Sequence, residues 1–181
     1  VIYDCLDLLP KESKKIIIEN SNNSDLKKIL EFKYSNLKCH LMNENLGYGK
    51  ANNIGIRLSK TEFIFIINPD VRFKSTDLNK FLELLKHEKF VIAAPTRIEE
   101  FHENPDIKTI QDVNFVHGFA MLLNKKFLAN SFFDENIFLY LEEIDLCRRV
   151  KLNKGRIIKV NVPVIHLGAL SHGDQENFEM E

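Results

Sequence analysis

Four groups of residues in this 181-residue chain are of types that do chemistry. The first is Asp70, which follows the apolar run Phe63-Ile-Phe-Ile-Ile67 and the pair Asn68-Pro69. Pro69 has no N–H to offer a neighbouring strand, so the strand must stop there and present Asp70 at the sheet edge. Open α/β sheets bind ligands at the carboxyl ends of their strands, where a carboxylate suits a divalent cation and the phosphates it neutralises. Aspartate also caps turns, and this segment alone does not choose between the two readings.

The second group is Asn45-Leu-Gly47-Tyr-Gly49-Lys-Ala-Asn52-Asn53-Ile-Gly55. Gly47 and Gly49 allow backbone conformations and close approaches that other residues do not. Asn52 and Asn53 bring amides to a helix start, for a ligand's hydroxyls or phosphates or simply for solvent. The stretch is neither a P-loop nor Gly-x-Gly-x-x-Gly. The third group is Glu142, Glu143 and Asp145, followed by Arg148 and Arg149. On a helix Glu142 and Asp145 share a face, while Glu143 turns aside by about 100° per residue. A carboxylate there can take a proton from an attacking hydroxyl, and an arginine can pair with phosphate or with the acids themselves. Acids first and arginines last also simply suit a helix dipole. The fourth is His166, a metal ligand by type, with Gly168 and Ser171 placed to bend around a phosphate; a strand-end histidine is equally a satisfied polar residue. His117, beside Gly118, is read as structural. Cys39 and Cys147 are read as small buried hydrophobes. No Ser-His-Asp order or His-Glu-x-x-His supports a hydrolase.

The elements that must position these groups are legible as apolar runs of alternating character. Ile16–Ile18, Leu37–Met42, Phe63–Ile67 and Phe90–Ala94 have strand length, and Leu26–Leu30, Ala51–Leu58 and Leu78–Leu85 lie between them. That alternation predicts an α/β domain with a mostly parallel sheet, covered by helices on both faces because its strands are apolar throughout. Ser24 and Thr76 are the expected caps of helices starting at Asp25 and Asp77. Thr96 to Asp112 is polar and aperiodic and predicts a long loop of the kind found over active sites. Phe115–Leu123 then reads as a strand, Leu139–Leu152 as a helix, Arg156–Val160 as a strand, and 173–181 as a frayed acidic tail.

Composition narrows the function. A net charge of -1 with interspersed signs gives no basic field for nucleic acid. Three scattered cysteines make no disulfide framework and fit a reducing compartment. No apolar run reaches membrane-span length, and no signal-peptide pattern is present. A single domain over 1–181 is expected.

Taken in order, Ile16-Ile-Ile-Glu-Asn-Ser21, Asn45-Leu-Gly-Tyr through Gly55, Asn68-Pro-Asp70, Gly118-Phe-Ala-Met-Leu-Leu, Phe133-Asp-Glu, Tyr140-Leu-Glu-Glu-Ile-Asp-Leu-Cys-Arg148 and His166-Leu-Gly-Ala-Leu-Ser171 resemble family-2 glycosyltransferases of the GT-A fold. The resemblance is closest to the rhamnosyltransferase-like branch of bacterial surface polysaccharide synthesis and spans nearly the whole chain. It implies an inverting transfer of a hexosyl or deoxyhexosyl group from a UDP- or dTDP-linked sugar to a glycan or lipid-linked glycan, with Mn2+ or Mg2+. Asp70 would take the place of the metal-binding acid, with Asn68 at the first position of its motif, and His166 would help hold the metal. Glu19, Asn20 and Ser21 match the segment approaching base and ribose, where the family usually has Asp in place of Glu19. Asn45, Gly47, Asn52, Asn53, Gly118 and Arg148 complete the expected nucleotide-sugar set. Glu143 is the candidate base, with Glu142 second. The resemblance also implies that Val1–Leu9 is the family's first helix, so that its first strand is missing and the domain is truncated at its N-terminus. It implies a place at the cytoplasmic face of the membrane and is compatible with a homo-oligomer. The alternative from another class is a catalytically inactive module acting in binding or assembly, motivated by the strand edge that a missing neighbour exposes. A nucleotidyltransferase is disfavoured, because no glycine-rich triphosphate loop with Lys or Arg lies near the N-terminus.

Overall fold

The computed structural model describes residues 1–104, 108–128 and 132–168. Helix α1 (Ile2–Leu8) is followed by strand β1 (Lys15–Glu19), helix α2 (Ser24–Lys33), strand β2 (Leu37–Leu41), helix α3 (Tyr48–Leu58) and strand β3 (Phe63–Ile67). Next come β4 (Val71–Arg72), α4 (Ser75–Leu85), β5 (Ile92–Arg97), β6 (Ile110–Asp112), β7 (Ala120–Asn124), α5 (Lys125–Leu128), α6 (Glu142–Leu152) and β8 (Ile157–His166).

Strands β1 and β2 pair in parallel as a sheet of their own. The larger sheet has the order β3-β7-β5-β8-β4, with β6 also on β8. Strands β5 and β8 pair in parallel, and β7 runs antiparallel between β3 and β5. Thus β3, β5 and β8 share one direction, as the alternation predicts, and β7 is the reversed strand among them. Among the described residues β1 and β3 each pair on one side only.

The unbroken apolar character of the central strands has the expected cause. Ile92 and Ala94 of β5, with Met121 and Leu123 of β7, face one core shared with Ile56 of α3 and with Leu146 and Val150 of α6. The intervening Ala93 and Leu122 face a second core built on Leu78, Phe81 and Leu85 of α4. A side-chain period of two therefore demands an apolar residue at every position. A third cluster, Leu6, Leu30, Leu37 and Cys39, joins α1 and α2 to the smaller sheet.

Several boundaries differ from the sequence reading. Helix α2 is capped by Asn23, whose side chain accepts from the Leu26 N–H at 2.9 Å, and not by Ser24. Helix α4 starts at Ser75 behind Lys74, with no side-chain cap in place of Thr76. The predicted loop from Thr96 is structured at both ends: Thr96 and Arg97 finish β5, and Ile110–Asp112 pair with β8. Here cross-strand pairing supplies an order that local composition does not signal. The strand expected from Phe115 begins at Ala120, after a turn at Gly118 and Phe119. Helix α6 starts at Glu142, because Tyr140 (φ 68) and Leu141 (φ 73) occupy the left-handed region and break any helix before it. Strand β8 continues past Val160 to His166, with Pro163 accommodated where its register against β5 shifts. The tail 173–181 and Ser171 lie outside the described residues. Among those described, no helix is long and apolar enough to cross a membrane.

Candidate active site

The chemical groups converge at one end of the sheets, at the ends of β1, β3 and β8 and the starts of α3 and α6. Strand β3 ends at Ile67, as Pro69 requires, and the chain turns so that Val71 pairs with His166 at the far end of β8. Asp70 is 1% exposed. His166 Nε2 lies 3.4 Å from Asp70 Oδ2, while the buried Asp70 Oδ1 has no hydrogen-bond partner. An ionisable group in this position costs free energy unless something neutralises it. The Asp70 backbone carbonyl accepts from the Leu167 N–H at 3.1 Å, which fixes the two segments together.

Asp70 and His166 form a two-donor set, and no group of three or more His, Cys, Asp or Glu suited to a metal occurs among the described residues. The orphaned, buried carboxylate oxygen beside an imidazole fits a divalent cation that takes its remaining ligands from phosphate oxygens and water. The His166 ring stacks on Phe119, with centroids 4.5 Å apart and planes at 13°, so its orientation is set by packing. Asn68, the other polar residue of that turn, donates its backbone N–H to the Phe119 carbonyl at 2.8 Å.

From Phe119 the chain leads back to Gly118, where the loop-helix meets the acids. The Tyr48 hydroxyl donates to the Gly118 carbonyl at 2.6 Å, and burial pushes this phenol above its ordinary pKa, so it remains a donor. A methyl group on Gly118 would sit 3.5 Å from Glu143 Cβ. Glu143 is therefore half-buried directly over Gly118. Glu142 is 2% exposed, with Oε1 unpartnered, and packs toward Gly49. Burial first, and the charge of Glu143 second, raise its carboxyl pKa above the usual range. Of the two, Glu143 has the open surroundings that a base needs.

The glycines behave as their chemistry predicts. Gly47 has φ 77, and a Cβ there would lie 2.2 Å from the Phe138 carbonyl, which accepts the Tyr48 N–H at 3.0 Å. At Gly49 the bare backbone lets Phe133 approach, with 3.1 Å to an added Cβ.

The asparagines hold the site together. Asn20 Nδ2 donates to Asn45 Oδ1 at 2.8 Å, and Asn20 Oδ1 accepts from Leu46 N at 2.8 Å, tying the end of β1 to the loop before α3. Asn53, 2% exposed, donates to the Phe133 carbonyl and to Glu135 and accepts from Phe133 N. Its amide is thus fully engaged in anchoring the loop before α6. Asn52 donates back to the Tyr48 carbonyl at 3.0 Å. The Glu19 carboxylate accepts from Ser21 Oγ at 2.7 Å and from Asn23 N at 3.1 Å, closing the turn after β1. Arg148 lies on the exposed side of α6, in a shallow groove with Phe115, Ile144 and Lys151. Asp145 pairs with Arg149 at 2.8 Å, so that acid is structural. All three cysteines are free and buried, and burial pushes the Cys147 thiol up to about 11. Two participants escape the sequence reading: Tyr48, whose only signal is an aromatic between two glycines, and Phe119, the platform under His166.

Residues 1–149 match the family described as Glycosyl transferase family 2. Among curated relatives, the low-salt glycan biosynthesis hexosyltransferase Agl10 of Haloferax volcanii is 23% identical over 173 residues, covering 78% of this chain and 55% of the relative. The rhamnosyltransferase WbbL of Escherichia coli is 24% identical over 205 residues, covering 92% and 76%. The chain thus spans about half the length of the first of these relatives. Solved structures that share the fold include two with a nucleotide and Mn2+. GalNAc-T7 with UDP, GalNAc and Mn2+ has a TM-score of 0.72 at 10% identity, covering 92% of this chain and 40% of that one. The mannosyltransferase PcManGT from Pyrobaculum calidifontis with GDP-Man and Mn2+ has a TM-score of 0.71 at 12% identity, covering 91% and 52%.

Proposed function

Because the chain belongs to glycosyl transferase family 2, we propose that it is the GT-A domain of an inverting glycosyltransferase, moving a hexosyl or deoxyhexosyl group from a UDP- or dTDP-linked sugar to a glycan or lipid-linked glycan. The observation that carries this reading is the buried, half-unpartnered Asp70 beside His166, joined through Phe119 and Gly118 to the open carboxylate of Glu143. In the reaction the acceptor hydroxyl oxygen attacks the anomeric carbon as Glu143 takes its proton, and the bond to the nucleoside diphosphate breaks on the opposite side. Bound by Asp70 and His166, Mn2+ or Mg2+ would neutralise charge on the departing diphosphate. Tyr48 and Asn20 hold the loop and Gly118 in register, so that the base and the diphosphate end keep a fixed separation. The names of the relatives support polysaccharide or glycan assembly as the setting, and the inner face of the membrane is the proposed site of the work.

The test is a calorimetric titration with UDP and with dTDP, each with and without Mn2+, on this chain and on Asp70→Asn. Metal-dependent binding that the variant loses is the expected result; metal-independent binding, or full binding by Asp70→Asn, would overturn the site. A second reading, a non-catalytic binding or assembly module, is favoured by the one-sided pairing of β1 and β3, since unpaired strand edges recruit other chains. Turnover by this chain would exclude it.

A further inference from the structure

A pocket of about 500 Å3 lies outside the site just described, lined by Thr96, Glu99, Glu100, Gln111, Lys159 and Asn161, with His102 at its edge. It sits where β5 ends and β6 pairs with β8. Its charges are already balanced: Glu99 lies 3.3 Å from Arg97 Nε, and Glu100 3.1 Å from Lys159 Nζ. Lys159 holds the Glu100 carboxyl below its ordinary pKa, so this carboxylate stays ionised. A paired set of this kind offers little to a diphosphate, which needs uncompensated positive charge. It offers carboxylate and amide groups spaced around a concave wall, which suit hydroxyls that both donate and accept.

The pocket is also connected to the reaction centre. Glu100 Oε1 lies 3.7 Å from His117 Nε2, and the His117 ring stacks on Phe119 with centroids 5.8 Å apart. Phe119 in turn stacks on His166, and the next residue after His117 is Gly118, over which Glu143 sits. The stacked rings thus separate the pocket from the Asp70 end of the site.

We infer that this pocket is the acceptor subsite and takes a neutral pyranose, whose hydroxyls bond to Glu99, Glu100 and Gln111 while the sugar's attacking end points past His117 toward Glu143. The inference rests on the transferase reading, and it assigns the acceptor to the β5–β6–β8 side of the His117–Phe119 stack.

The test is binding of octyl glycosides of glucose, galactose, N-acetylglucosamine and rhamnose, followed by NMR on the whole chain. At least one glycoside is expected to bind in the millimolar range and to shift the His102 imidazole and Gln111 amide signals. Gln111→Ala, on an exposed strand edge where its side chain makes one long bond of 3.4 Å, should keep the fold. With Glu99→Gln added, it should weaken that glycoside about tenfold, while UDP binding with Mn2+ is unchanged. Binding by none of the glycosides, shifts confined to other residues, or equal binding by the double variant would overturn the assignment. Loss of UDP binding in the unaltered chain would instead count against the nucleotide site, which the glycoside titration does not read.

Discussion

Glu142 and Glu143 are adjacent acids with opposite surroundings, and their substitutions should separate cleanly. Glu143→Gln is expected to lower turnover by about 10²- to 10⁴-fold, the range of a lost general base, with nucleotide binding intact by calorimetry. Glu142→Gln should act on stability through pH. Burial raises the Glu142 pKa, so between the usual carboxylate range and that raised value the folded chain keeps a proton that the unfolded chain releases. Stability therefore falls as pH rises through that window and stays lowered above it. The glutamine removes this loss, so the variant's melting temperature relative to the unaltered chain should be higher at pH 7 than at pH 4. An unchanged difference at the two pH values would mean that Glu142 is not desolvated as the structure has it.

At the scale of elements, α3 and α6 are joined through the loops before them, and two positions dominate. Gly47→Ala would drive a methyl group into the Phe138 carbonyl at a positive φ, and should cost about 2 kcal/mol or more in denaturant melts. Asn53→Leu leaves the Phe133 N–H and carbonyl without partners, at a cost of about 3 kcal/mol. A cost below about 1 kcal/mol at Asn53 would mean that the loop before α6 is anchored elsewhere. The left-handed pair Tyr140 and Leu141 belongs to the same construction: such conformations cost about 1–3 kcal/mol each and persist only where neighbours enforce them, here at the entry to the two acids.

Across the whole molecule, strands paired on both sides and strands paired on one should differ in dynamics. Amides of β5, β7 and the first half of β8 are expected to exchange with solvent slowest, and those of β1 and β3 much faster, by hydrogen-exchange mass spectrometry. Uniform protection would mean that something covers the open edges of β1 and β3. Much of this architecture is local chemistry and was legible along the chain. Alternating apolar runs specify layers of helix on sheet, Pro69 ends β3 because it lacks an N–H, and Gly47 marks a backbone that no side chain tolerates. Sequence order alone also placed Asp70, Glu142, Glu143 and His166 in one family pattern. What it could not supply depends on residues far apart in the chain. The reversed β7, the strand hidden in the loop after Arg97, the donation from Tyr48 to Gly118 seventy positions away and the pairing of Val71 with His166 that sets Asp70 3.4 Å from the imidazole all follow from strand pairing and register. The family pattern already ranked Glu143 ahead of Glu142, but which of the two the packed core buries is tertiary information, because desolvation is a property of tertiary neighbours and not of residue type.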